Sequence, residues 1–419
     1  MHLRGTGTGC LRVTGSAAAT GGDVVKTRER YNFDTIIDRK RTNSVKWDFC
    51  TCCDGAEDIL PMWVADMDFQ CPPEVCEAVM RTADHGVYGY SEMSDGYYEA
   101  IVGWLASRHA WRVSPQWLSY SPGVITGMNV AIQTFTAPGD KIILQSPVYP
   151  PFFASILNNG RRVVNNRLYV EDGEYRMDFD ALEASIDDRT RMLLLCSPHN
   201  PVGRVWREDE LARLADIALR HELLVFADEI HSDLVFPQFR HVPFASMSPE
   251  IADRTITGVA PSKTFNIAGL KASVIVTSNP RLRHAFDQAQ ERVFGLYTAN
   301  VFAIAAAEAA YRHGGPWLDA ALAYLQQNVS FTQEQLRSTV PRVTALEPQG
   351  TFLMWLDFSE LGMTQDELRE TIFCGARVGL NDGLSFGPGG EQHMRLNIGC
   401  PRSMVADGLA RIASVVGQV

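Results

Sequence analysis

What this sequence lacks narrows it first. No run of about 18 consecutive apolar residues occurs, so no membrane-spanning helix is expected. Positive charge is in deficit: 38 lysines and arginines against 49 aspartates and glutamates leave a net charge of −11. The acidic residues are scattered rather than blocked. No basic patch offers itself to a nucleic acid or an anionic membrane surface. The nine cysteines are an odd number, and Cys50, Cys52 and Cys53 cluster with no matching downstream Cys-x-x-Cys pair. No metal site is therefore expected, and reduced cysteines in the cytoplasm are. No internal repeat is visible. Residues 1–29 are rich in Gly, Thr, Ala and Ser and hold no apolar segment of signal-peptide length, so they read as a mobile tail.

What is present is the composition of a globular enzyme. A chain of 419 residues, 46% hydrophobic and 21% charged, suits one large domain and a smaller one. Apolar strand-like runs occur at 141–145, 191–196, 223–227, 255–259 and 274–276. Between two of them, residues 207–221 read as a helix. Leu211, Leu214, Ala215 and Ala218 share one face, Glu208, Asp209 and Glu210 open it, and Arg220 and His221 close it. Strands that alternate with helices and read as continuous apolar runs predict an α/β fold with a mainly parallel sheet covered on both faces. After a break at His313-Gly314-Gly315-Pro316 the pattern changes to a helix over 317–340 and short strands at 351–356 and 394–398, a smaller α+β domain. The expected division is a tail at 1–29, an arm joining the small domain at 30–72, a large domain at 73–313 and the C-terminal small domain at 314–419.

One lysine stands out within this frame. Lys263 lies in Ala260-Pro261-Ser262-Lys263-Thr264-Phe265, directly after the strand at 255–259, where a surface helix lysine is not expected. Asp228 ends the strand at 223–227, 35 residues earlier. In parallel sheets ligands bind at the carboxyl ends of the strands, where both residues fall. A lysine there can form a Schiff base with the aldehyde of pyridoxal 5′-phosphate (PLP). An aspartate there can keep the pyridine nitrogen protonated, so that the ring draws in electrons.

Further motifs fit the same cofactor, each with a plainer alternative. Ser121-Pro122-Gly123-Val124-Ile125 opens a helix whose first N–H groups can hold a phosphate, or it is an ordinary Pro-Gly turn. Asn200, in Ser197-Pro198-His199-Asn200-Pro201, either bonds the cofactor's 3-oxygen or starts a turn. Tyr149 can stack on the pyridine ring or be a half-buried core tyrosine. Arg395, inside the apolar strand Met394-Arg395-Leu396-Asn397, needs an anion: either a substrate carboxylate or an internal Asp or Glu.

In this order and spacing, Asn200-Pro201, Asp228, Ser262-Lys263 and Arg395 resemble the fold-type I PLP enzymes, the aspartate aminotransferase superfamily, over most of the chain. Finer detail resembles the MalY/PatB-type C–S lyases. That likeness rests on Phe33-Asp34-Thr35-Ile36-Ile37-Asp38-Arg39, Leu60-Pro61-Met62-Trp63-Val64-Ala65-Asp66-Met67-Asp68-Phe69, His85-Gly86-Val87-Tyr88-Gly89-Tyr90, Asp228-Glu229-Ile230-His231 and Asn397-Ile398-Gly399-Cys400-Pro401-Arg402. The resemblance implies a large PLP-binding domain and gives Lys263 the roles of Schiff-base lysine and catalytic base. It makes Asp228 the pyridinium partner, Asn200 the 3-oxygen ligand, Tyr149 the stacking ring and Arg395 the carboxylate clamp. Ser262 and the Val124 and Ile125 backbone would hold the phosphate. Lys271 would join them where aminotransferases use an arginine, and Trp63 and Val64 would lie on the substrate side. It also implies a homodimer with shared active sites, Tyr90 reaching the neighbouring subunit's phosphate. His231 stands where aminotransferases carry a tyrosine, which moves the expectation from amino transfer towards C–S cleavage of cystathionine or cysteine conjugates. A third reading, a regulatory protein-binding role, has no marker in the sequence.

Overall fold

The computed structural model describes residues 31–50, 58–296 and 298–417. The expected tail at 1–29, and Cys52 and Cys53, lie outside them. Seven strands form the main sheet: β1 (Leu118–Ser121), β2 (Lys141–Leu144), β3 (Arg162–Asn165), β4 (Thr190–Cys196), β5 (Leu224–Asp228), β6 (Thr255–Val259) and β7 (Ser273–Val276). Their spatial order is β1-β7-β6-β5-β4-β2-β3, and only β7 runs against its neighbours. All five strand-like runs of the sequence are present, each end within one residue of expectation. The strand β3 escaped notice because Arg162-Val163-Val164-Asn165 is a short, half-exposed edge with no apolar run.

The central strands divide their side chains between two helix layers, as the period-2 pleat requires. Leu193 and Leu195 of β4 and Val225 and Ala227 of β5 share one core with Leu211, Leu214, Ile217 and Ala218. Met192, Leu194 and Phe226 face the other side, against Val124, Met128 and Ile132. The helices concerned are α2 (Val124–Phe135) and α3 (Glu208–Arg220), while α1 (Asp95–His109) packs in a third core. Two glycines set how closely α2 lies on the sheet. A Cβ on Gly258 would come within 2.5 Å of the Val124 side chain, and one on Gly127 within 2.5 Å of Ile275. Only glycine admits that approach. It brings the first turn of α2 down onto the carboxyl ends of the strands.

A second sheet, antiparallel throughout, contains β8 (Thr344–Ala345), β9 (Leu353–Asp357), β10 (Asn381–Asp382) and β11 (His393–Asn397) in the order β8-β9-β11-β10. It shares its core with α4 (Gly315–Thr339) and α5 (Arg402–Val416). Leu60–Pro61 pairs with Val378–Gly379, so the early part of the chain joins the late part. One expectation changes: Cys374 is disulfide-bonded, so the cysteines are not all reduced thiols.

Candidate active site

Register places the chemistry. Cys196 of β4 pairs with Asp228 of β5, and Asp228 pairs with Gly258 of β6, forming a row across three adjacent strand ends. Lys263 follows five residues after Gly258, in a single helical turn, Pro261–Thr264. Above this row is a cavity of about 490 Å³. Its walls include Val124, Ile125, Tyr149, Asn200, Asp228, His231, Ser262, Lys263 and Lys271, nine of the residues expected from sequence.

The electrostatics are those of a water-poor site. Burial pushes the Asp228 carboxyl up to about 7, although the Ile230 N–H at 3.1 Å and the charge of Lys263 pull it down. Burial, then the positive charge of Arg395, brings the Lys263 amine down to about 8, opposed by Asp66 and Asp228. Lys263 Nζ donates to the Ala65 carbonyl at 2.5 Å. His231 is fully buried, with burial and the charges of Lys263 and Arg395 holding its imidazole neutral, and its Nδ1 has no partner. Burial raises the Tyr149 hydroxyl, against the pull of Arg395.

Arg395 answers the question its sequence posed. It is buried, and among the described residues no carboxylate lies within 4.0 Å of it. Its partners are neutral oxygens: Asn200 Oδ1 at 2.9 Å, the Trp63 carbonyl at 2.9 Å and Asn381 Oδ1 at 2.5 Å. Its Nε is unpartnered, and the ring of Phe386 lies 5.0 Å below the guanidinium. Burial lowers it to about 10. A buried cation without an anion is a site prepared for one.

Two asparagines to which the sequence assigned no role hold this arrangement. Asn266, in the left-handed region at φ 56°, accepts from Met67 N and donates to the Met67 and Phe69 carbonyls. Asn397 donates to the Val64 and Asp66 carbonyls at 2.6 and 2.7 Å. The carboxylates of Asp66 and Asp68 turn the other way, onto Arg39 and Lys46. The segment 63–68 is thus a structural strap: the Ala65 carbonyl meets Lys263, the Trp63 carbonyl meets Arg395 and the Val64 carbonyl meets Asn397, while neither Trp63 nor Val64 is on the cavity wall. Tyr90 does not line the cavity of its own chain. It is 89% exposed, between Val87 and Tyr88, which are exposed too, and Glu92.

The cavity can accept an anion at the α2 end, beside Ser262 and Lys271, and a protonated nitrogen at Asp228, with an amine between them. A mainly parallel sheet carrying a lysine and an aspartate at adjacent strand ends, beside a helix start, defines the aminotransferase fold of type I. The chain belongs to the aminotransferase class I and II family, which it matches over residues 57–412. It is similar to cystathionine beta-lyase PatB of Bacillus subtilis, 43% identical over 92% of this chain and all of that one. It is also similar to protein MalY of Escherichia coli, 32% identical over 93% and 100% of the two chains. Among solved structures it resembles cystalysin of Treponema denticola, which contains a pyridoxal 5′-phosphate cofactor, with a TM-score of 0.90 and 36% identity over 93% of this chain and 99% of that one.

Proposed function

We propose that this chain is a cytoplasmic, homodimeric PLP-dependent lyase that cleaves the C–S bond of L-cystathionine or related cysteine S-conjugates. The products are a thiol (homocysteine from cystathionine), pyruvate and ammonia. The observation that carries the reading is the meeting of Lys263, an amine brought down to about 8, with the buried carboxyl of Asp228 in one cavity. The 43% identity to a cystathionine beta-lyase over the whole of that relative supports the reaction type.

PLP suits the donor set. The Val124 and Ile125 amides, Ser262 and Lys271 would take its phosphate, with Tyr149 against the ring and Asn200 and His231 beside its oxygen. Bound there, it supplies a carbonyl that captures the substrate amine and a ring that stores the electrons left by loss of the α-proton. The chain's own groups do the rest. Arg395 receives the substrate carboxylate, so the α-carbon is held rather than merely admitted. Lys263 Nζ takes the α-proton, and the neutral imidazole of His231 presents a hydrogen-bonding group without adding a charge.

The competing reaction, amino transfer, shares every group used up to proton removal. Transfer from a dicarboxylic amino acid wants a second cation for the distal carboxylate, and beyond Arg395 no arginine in the sequence has a setting that suggests that task. With L-cystathionine and no 2-oxo acid acceptor, we therefore expect thiol, pyruvate and ammonia in equal amounts. Amino transfer from aspartate or alanine to 2-oxoglutarate should be slight. Activity that requires an acceptor and releases no thiol would reverse the assignment.

The exposed Tyr90 supports a site shared between two copies of the chain. Mixing Lys263→Ala protein with Tyr90→Ala protein, each of low activity alone, should then restore activity. Random hybrids would carry one intact site each, giving about a quarter of the wild-type rate. Mixtures no more active than their parents would place Tyr90 outside the partner's site.

A further inference from the structure

The turn that carries Lys263 is too short to aim it. A helix of four residues, Pro261–Thr264, is closed by only two local bonds, from Phe265 N to the Pro261 carbonyl at 2.9 Å and from Ile267 N to the Ser262 carbonyl at 3.0 Å. Such a nucleus is unfavourable in isolation, so its orientation must be imposed from outside. Asn266 ties one side of it to the carbonyls of Met67 and Phe69, at the end of the strap. The other side is tied by a carboxylate that no motif drew attention to, Asp233.

Asp233 is buried and uses both oxygens. Its Oδ2 accepts from Thr264 Oγ1 at 2.7 Å, and Thr264 is the residue next to Lys263. Its Oδ1 accepts from Trp104 Nε1 at 2.9 Å and lies 2.7 Å from His109 Nε2, both on α1. Burial alone would raise this carboxyl, but the bonds from His109, Thr264 and Trp104 outweigh it and hold it ionised. The ring of Trp104 also meets Phe265 edge-on, with centroids 5.5 Å apart. His109 in turn packs edge-on against His241, at 5.5 Å, whose Nε2 is 3.0 Å from Glu229, the residue next to Asp228. The cluster therefore ends beside each of the two groups that the proposed reaction uses.

We infer that Asp233 is a positioning residue: through Thr264 it locks the Lys263 turn onto α1 and so aims the lysine amine. The inference rests on the PLP-lyase reading, but it concerns a contact outside the cavity wall. A loosened turn leaves the Arg395 clamp untouched, so substrate binding should change little while the aim of Nζ suffers. A displacement of about 1 Å at a reacting atom lowers rates by up to roughly a hundredfold.

The test compares Thr264→Val, which keeps the shape and removes the hydroxyl, with Thr264→Ser, which keeps the hydroxyl, and with Asp233→Asn. In holoenzyme, Thr264→Val and Asp233→Asn should lower kcat about ten- to a hundredfold with KM within about twofold, and Thr264→Ser should retain most of the rate. A second readout needs no turnover. PLP is added to cofactor-free protein, samples are reduced with borohydride at intervals, and attachment is followed by mass. Attachment should slow at least about tenfold in Thr264→Val and Asp233→Asn but not in Thr264→Ser. Thermal melts confirm that each variant is folded, and Thr264→Val carries the test if Asp233→Asn is not. Wild-type rates in folded Thr264→Val, or equal losses in the Val and Ser variants, would overturn the inference. Wild-type protein that traps PLP but cleaves no thioether would sink the lyase reading and leave the positioning role standing on the attachment rates.

Discussion

Lys263→Ala should lose both activity and any borohydride-stable link between protein and PLP, leaving a cofactor that dialysis removes. The physical reason is the state of the amine. An ordinary lysine is about a thousandth neutral at pH 7.5, whereas one brought down to about 8 is roughly a quarter neutral. That difference is what the proposed reaction requires of Lys263, as a nucleophile for an aldehyde and a base for the α-proton. Losing a positioned base alone lowers rates by about 10²–10⁴, before the loss of the covalent anchor is counted. Lys271 is the natural control, because it lines the same cavity and also carries an amine. It is exposed at the rim, so Lys271→Ala should weaken PLP binding yet keep the link. Full covalent attachment in Lys263→Ala, detected by mass after reduction, would transfer the anchoring role to another lysine.

How much of this was legible beforehand follows from how local each signal is. The strands β4, β5 and β6 announce themselves because they are buried on both faces, β4 and β5 as apolar runs and β6 as a short run of β-branched residues, so their ends, and with them Asp228 and Lys263, could be placed. Arg395 was legible as a charge in an apolar strand, but the choice between a substrate carboxylate and an internal partner was not. That choice depends on Asn200, Trp63 and Asn381, which lie 195, 332 and 14 residues from it in the chain. The roles of Asn266, Asn397 and Asp233 were illegible for the same reason. Each is a single polar residue whose meaning lies in partners far away in sequence, and no periodicity or spacing encodes such pairings. Asp66 and Asp68 show the converse. Their motif was recognisable as a unit, yet its carboxylates serve Arg39 and Lys46 while its carbonyls face the cavity. A motif reveals which residues matter sooner than which atoms do.

Asp228→Ala should separate cofactor binding from chemistry. Removing the carboxylate would delete the proposed charge-assisted bond to the ring nitrogen, worth on the order of 1.5–3 kcal/mol. Part of that loss is returned, because the free protein no longer keeps a carboxyl raised to about 7 by burial. The fall in PLP affinity should therefore be near the lower end, about tenfold. The rate of α-proton exchange enjoys no such relief, since it compares two states that both contain the bound cofactor. Without a negative charge to hold the ring nitrogen protonated, the electrons released at the α-carbon lose their sink, and the charge that develops is no longer stabilised. Exchange of the α-proton of L-alanine with deuterated solvent, followed by NMR at saturating PLP, should fall about 10²–10³-fold or more. Asp228→Asn should behave similarly, because an amide has the shape of the carboxylate but not its charge. Exchange at the wild-type rate in either variant would mean that another group holds the ring proton, and His231, on the same wall, would have to be charged despite its burial to do so.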